Sequence, residues 1–313
     1  MTPLERAATA ALHAPSVFNT QPWIWQIDGD VLELRADLSR RLEITDRDGR
    51  MLVLSCGAAL HHALTALSAA GWSYEVTRLP DPSVLARVTL GSPVPVDPAV
   101  ARLAEAIPRR RTDRRPFGAR TVPDAELTRL RLAVEARGAY LHVVTSEQVA
   151  KLGIAASLAS DAELTDPRYR AELREWTSDS SSSGIPPATA VSPGLRRVPV
   201  RDFAPDGEAG LAVGSDHDEG AAYVVLFGLG DDLGSLLRGG EALSALLLLA
   251  TADGLATAPL SDAIEVEWPR VLVRGLLAGV GEPYVAVRLG YPSSATPLPE
   301  RPRRTAADVI VRL

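Results

Sequence analysis

The chain has 313 residues, enough for one large domain or two modest ones. With 46% hydrophobic and 23% charged residues it is neither disordered nor fibrous, and a net charge of -6 offers no general attraction to nucleic acid or anionic lipid. Lys151 is the only lysine, so 32 of the 33 basic residues are arginine, whose planar fork suits phosphate, although GC-rich coding gives the same bias. The single cysteine, Cys56, can form neither an intrachain disulfide nor a thiolate metal cluster, and the opening residues lack a basic and apolar signal pattern. A reducing cytoplasm is the expected location.

Thr2, Pro3 and Glu5 predict a capped helix over 3–13. Alternating residues at 24–27 and 31–34, separated by Asp28-Gly29-Asp30, predict a hairpin. No charged residue lies between Arg50 and Glu75, and a long helix is expected over 52–70. His61, His62 and the many small alanines of that stretch speak for a buried helix over a membrane span; the second apolar stretch, 242–252, is too short to span. Strands at 74–77 and 85–88 complete a first half, 1–95.

The second half, 96–313, opens with Asp97 and Pro98 as cap and first residue of a helix to 107. Helices are expected at 123–136, 147–159, 167–176, 241–252 and 269–277, and strands at 140–144, 222–227 and 284–289. Between 177 and 220 the texture changes to a serine run, Pro186-Pro187 and scattered glycines and acids, which reads as a lid or mobile loop, or equally as a linker.

Residues 109–115 hold five arginines around Thr112 and Asp113. Their repulsion is explained by a bound phosphate, and the absence of interleaved aromatic residues favours a small phosphorylated ligand over a polymer. A solvated charge run is the bland alternative. Ala14-Pro15-Ser16-Val17-Phe18-Asn19-Thr20-Gln21-Pro22-Trp23 presents short donors and acceptors on a loop fixed by two prolines, suited to a polar ring edge or to a plain structural connection. Cys56 reads as a buried hydrophobe and residues 216–219 as an exposed acidic turn. His61 and His62 point about 100° apart and make no metal pair. His13 reads as a cap of the first helix, and no metal site is expected.

The 14–23 segment resembles the Ala-Pro-Ser-x-x-Asn-x-Gln-Pro-Trp motif of nitroreductase-like flavoproteins, and the whole chain is similar to their Acg-type branch. Further matches are Leu54-Ser55-Cys56-Gly57-Ala58-Ala59-Leu60, Arg110-Arg111-Thr112-Asp113-Arg114-Arg115-Pro116-Phe117, Gly184-Ile185-Pro186 and Gly254-Leu255-Ala256-Thr257-Ala258-Pro259-Leu260. The resemblance implies an α+β nitroreductase-like fold, two halves fused as a pseudo-dimer with an inserted lid, and a bound FMN reduced by NADH or NADPH. The FMN carries the chemistry, so no catalytic side chain is assigned. It places Arg110, Thr112 and Arg114 on the FMN phosphate. The extra residue before Phe117 leaves Arg111 as the alternative to Arg110. Ser16, Asn19 and Gln21 are expected along the flavin ring, Thr257 near it, and Arg303 at the phosphate. The loop motif precedes the phosphate motif, so one chain can complete a whole site and a monomer suffices. The implied activity is reduction of a small electron-poor acceptor; the alternative is FMN sequestration under a closed lid.

Overall fold

The computed structural model describes every residue except 178–181, 193, 195, 206, 215, 293 and 295. Most of the expected serine run therefore lies outside the described residues. The first half runs α1 (Pro3–Ala11), β1 (Trp23–Asp28), β2 (Val31–Ala36), α2 (Arg50–Ala69), β3 (Trp72–Asp81) and β4 (Val84–Pro93). The second runs α3 (Pro98–Ala106), α4 (Asp124–Glu135), β5 (Tyr140–Val143), α5 (Ser146–Thr165), α6 (Pro167–Trp176), β6 (Ala222–Gly228), α7 (Leu233–Ala252), β7 (Ala256–Leu260), α8 (Asp262–Glu265), α9 (Glu267–Leu276) and β8 (Glu282–Gly290). The tail adds α10 (Ala306–Val309) and β9 (Ile310–Arg312).

Local chemistry sets these boundaries. Thr2 and Glu5 form the reciprocal capping box of α1, and Asp97 accepts from Ala99 N at the start of α3. Each half builds its own sheet, in the orders β3-β4-β2-β1-β9 and β5-β6-β8-β7. All pairings are antiparallel except β1 with β9. The tail thus crosses the division expected at 95/96 and extends the first half's sheet. A three-residue strand bonded through its backbone has no sequence period to announce it.

The long apolar helices α2 and α7 pack against each other at the middle. A Cβ on Gly57 would stand 2.1 Å from the Leu237 carbonyl oxygen, and one on Gly240 would stand 2.1 Å from that of Leu54. Here the backbones themselves are in contact. Arg50 to Asp231 at 2.6 Å and Arg78 to Glu241 at 2.7 Å add charged ties between the halves. The expected start of α7 at 241 is corrected to 233: Gly239 and Gly240 look like a break in sequence, yet they are the contact surface. The length argument against a membrane span at 242–252 falls with it. Both α2 and α7 are long and apolar enough to cross a membrane, and both are largely buried inside the protein.

β7 adds a strand to those expected; its Pro259 lies on the sheet edge, where a missing donor is tolerated. His61 and His62 do converge, both Nδ1 atoms lying 2.8 Å from Ser244 Oγ, and burial lowers both imidazole pKa values. Cys56 is buried and its thiol is pushed upward by burial.

Gly57→Ala and Gly240→Ala should each destabilise by about 1 to 3 kcal/mol through overpacking. Gly275→Ala, where no atom lies within 4 Å, should stabilise α9 by about 0.5 to 1 kcal/mol. Urea unfolding of the three variants checks the contrast.

Candidate functional site

A cavity enclosing about 950 Å3, open solvent included, lies between the halves. Its first wall is the loop after α1 together with Met51, Leu54 and Ser55 of α2. Its second is Arg110, Thr112 and Arg114, with Arg301 and Arg303 of the tail beside them. Leu243, residues 258–262 and Val285 form the floor, and Ile185, Val200, Arg201 and Phe203 of the inserted segment close over it.

The loop is strained where it meets the cavity. Phe18, Asn19 and Gln21 have φ of 45°, 55° and 52°, a region that ordinary L-residues avoid and that persists only where the surroundings hold it. Ser55 Oγ accepts from Val17 N at 3.2 Å, and Ser16 Oγ accepts from Gln21 N at 2.9 Å. Asn19 is held on both sides. Its Nδ2 donates to the carbonyls of Gly184 and Pro302, both at 3.0 Å, and its Oδ1 accepts from Arg303 at 3.0 Å.

The arginine segment is extended, so alternate residues face opposite ways. Arg110, Thr112 and Arg114 line the cavity, whereas Asp113 is paired with Arg115 at 2.8 Å. Arg111, the alternative phosphate residue, lies off the cavity and donates to the carbonyls of Pro108 and Arg110. The segment is fixed to β7 by Asp113 N donating to the Thr257 carbonyl at 2.9 Å. It is fixed to β8 by Arg288, whose Nη2 donates to the carbonyls of Asp113 and Arg115. Arg288 is itself held by both oxygens of Asp218, at 2.8 and 2.7 Å. The 216–219 turn is therefore not exposed at Asp218, which is fully buried and also accepts from Phe117 N. Acidic composition hid the one residue that packs inward.

The cavity wall is short of negative charge. Arg110, Arg114, Arg301 and Arg303 all have pKa values lowered, by burial first and next by neighbouring guanidinium groups, among them Arg111. A guanidinium does not give up its proton at accessible pH, so this wall of the cavity is strongly cationic. Buried Arg110 Nε and Arg114 Nη1 have no hydrogen-bond partner among the described residues. Arg110 Nη2 and Arg303 Nη2 both donate to the His13 carbonyl, at 3.1 and 3.3 Å. His13 thus acts through its backbone, while burial and these arginines keep its ring pKa low.

Of the residues expected at the site, Ser16, Asn19, Arg110, Thr112, Arg114 and Arg303 line the cavity. Gln21 and Thr257 do not. Gln21 is buried behind the loop, where its side chain bonds Ser182 O and Arg304 N; Thr257 is buried behind Thr112. Sequence reading missed Ser55, Arg201, Arg301 and Phe203. Arg301 had a signal, the basic run shared with Arg303, but Arg201 and Phe203 sit in a segment with no periodic pattern. Among the described residues no cluster of side chains could hold a metal ion.

No protein-family model matches the chain. It is 40% identical over 314 residues to the Mycobacterium tuberculosis (strain H37Rv) protein named "Putative NAD(P)H nitroreductase Rv3131", with 96% of this chain and 89% of that protein covered. It is 36% identical over 315 residues to the same organism's "Putative NAD(P)H nitroreductase acg", covering 98% and 94%. The chain belongs to the Acg-type branch of the nitroreductase-like family. A solved nitroreductase with bound FMN from Bacteroides fragilis NCTC 9343 aligns over 64% of this chain and 92% of its own, at 17% identity and a TM-score of 0.39.

Within this family member, Asp218→Ala would strand Arg288 as a buried unpaired charge. It should cost about 3 to 5 kcal/mol of stability, read by urea unfolding, whereas a surface pair such as Arg168 with Asp166 should cost about 1 kcal/mol or less.

Proposed function

We propose that the chain binds one FMN in the cavity between its halves and passes electrons from NADH or NADPH to a small electron-poor acceptor. The observation that carries the reading is the pair of buried guanidinium donors, Arg110 Nε and Arg114 Nη1, that have no partner among the described residues and lie across the cavity from the strained loop at 16–19. A phosphate dianion supplies the charge and the acceptors that this wall lacks. Arg110, Thr112, Arg114 and Arg303 would hold the phosphate, and Ser16 and Asn19 would face the ring edge. When bound, FMN supplies the hydride chemistry, accepting from the nicotinamide and donating to the acceptor. The chain's own contribution is position and shelter: Leu54, Leu243, Ile185 and Phe203 give apolar walls that keep water away.

Replacing Arg110, Thr112 and Arg114 together by alanine removes charge-assisted hydrogen bonds worth about 1.5 to 3 kcal/mol each before coupling. FMN affinity should fall by at least about 100-fold while riboflavin affinity changes little, as read by calorimetry. Equal losses for both ligands would contradict the phosphate assignment.

A second reading, sequestration of FMN under a closed lid, is favoured by the inserted segment. Its Ile185 and Phe203 form a small core with Phe18, Tyr169 and Leu173, and Gly184 is hydrogen-bonded to Asn19 in both directions. Anaerobic stopped-flow mixing with NADPH separates the two. Rapid bleaching of the flavin supports turnover; bleaching by dithionite alone supports sequestration.

A further inference from the structure

Behind the wall that carries Arg201 and Asp262 lies a second cavity, enclosing about 1000 Å3 with open solvent included. Arg201, paired with Glu163 and Glu265, and Asp262 one turn before Glu265 separate it from the first. Arg201 Nη2 donates to Glu163 at 3.1 Å and to Glu265. Asp262, one turn before Glu265 on α8, lines the first cavity, whereas Glu163 and Glu265 line the second. All four side chains are buried, and Glu265 Oε1 and Arg201 Nη1 have no hydrogen-bond partner among the described residues.

One guanidinium cannot neutralise three buried carboxylates, so a proton retained among them relieves the excess charge. Burial, reinforced by Glu265 and Asp262 and opposed by Arg201, pushes Glu163 up to about 8, and burial raises Asp262 as well. Other groups face the cluster. Tyr169 of α6 is hydrogen-bonded to Glu163. Asp46, before α2, is itself raised to about 6, chiefly by burial. Arg47, Asp48, Asp166, Glu267 and Arg270 ring the second cavity.

We propose that Glu163, Glu265 and Asp262 form a proton relay from the second cavity to the acceptor in the first. This rests on the oxidoreductase reading. NAD(P)H gives a hydride, which is two electrons and one proton, so reducing an acceptor A to AH2 needs one further proton. Asp262 meets the acceptor: its O–H bond breaks as the new bond to hydrogen forms on A. The carboxylate left behind is reprotonated through Glu265 and Glu163, and Glu163 regains its proton from bulk solvent through the second cavity, so that NAD(P)H, one solvent proton and A give NAD(P)+ and AH2. No electron passes through the relay. Arg201 keeps its proton and positions the two glutamates.

Infrared difference spectra of the purified protein across the neutral to alkaline range should show a buried carboxyl band that disappears around pH 8 and is absent in Glu163→Gln. With saturating NADPH and acceptor, Glu163→Gln and Asp262→Asn should each lower kcat by roughly 100-fold or more and flatten its pH profile. Glu163→Asp should recover much of the loss. The relay is overturned if the band persists in Glu163→Gln, or if both variants reduce the acceptor at the wild-type rate. A wild type whose flavin NADPH never bleaches overturns the oxidoreductase reading and the relay together. That outcome is distinct from failure of the relay alone, in which the wild type bleaches normally.

Discussion

The backbone contact between α2 and α7 at Gly57 and Gly240 sets the spacing on which everything else in this protein depends. A side chain at either position would push the helices apart. The loop at 14–21 docks on α2 through Ser55, and Leu243 of α7 forms part of the cavity floor, so the width of the cleft follows from that crossing. The same close approach explains why two helices with little amphipathic character are stable: each is covered by the other and by a sheet.

Within the cleft the dominant quantity is uncompensated positive charge. Several buried charged groups of the second half are balanced locally, as Asp113 with Arg115 and Asp218 with Arg288 show. Among the described residues, Arg110, Arg114, Arg301 and Arg303 form no ion pair with a carboxylate. Holding like charges together against their repulsion costs stability, and an anion that binds only the folded state returns it. The carboxylates on the opposite wall are the reverse case, an excess of negative charge around Arg201. The cavity is therefore polarised, with an anion-seeking end and a proton-holding end.

The inserted segment completes this arrangement. Arg201 belongs to it and reaches inward between Phe18 and the carboxylates, its guanidinium carbon 4.8 Å from the Phe18 ring centroid. Phe203 lies beneath Arg114 at 4.4 Å. Both walls are thus tied to the cover, and displacement of the cover would disturb the charge balance at both ends.

The sequence by itself determined the elements whose signals are local. Thr2, Asp97 and the uncharged run after Arg50 mark helices because caps and hydrophobic patterns act over a few residues. Arg110, Thr112 and Arg114, which the family resemblance singled out, line the cavity together because alternate residues of an extended segment face one way. The tertiary structure decided what depends on distant partners. Gly239 and Gly240 look like a helix break until α2 and Tyr284 are laid against them, and Asp218 looks exposed until Arg288 reaches it. Gln21 shares its motif with Asn19 yet turns away from the cavity, because its amide is consumed by Ser182 and Arg304. Local pattern fixes which residues can form an element or present a charge; only the packing of the two halves decides which of those charges are paired and which face the cavity.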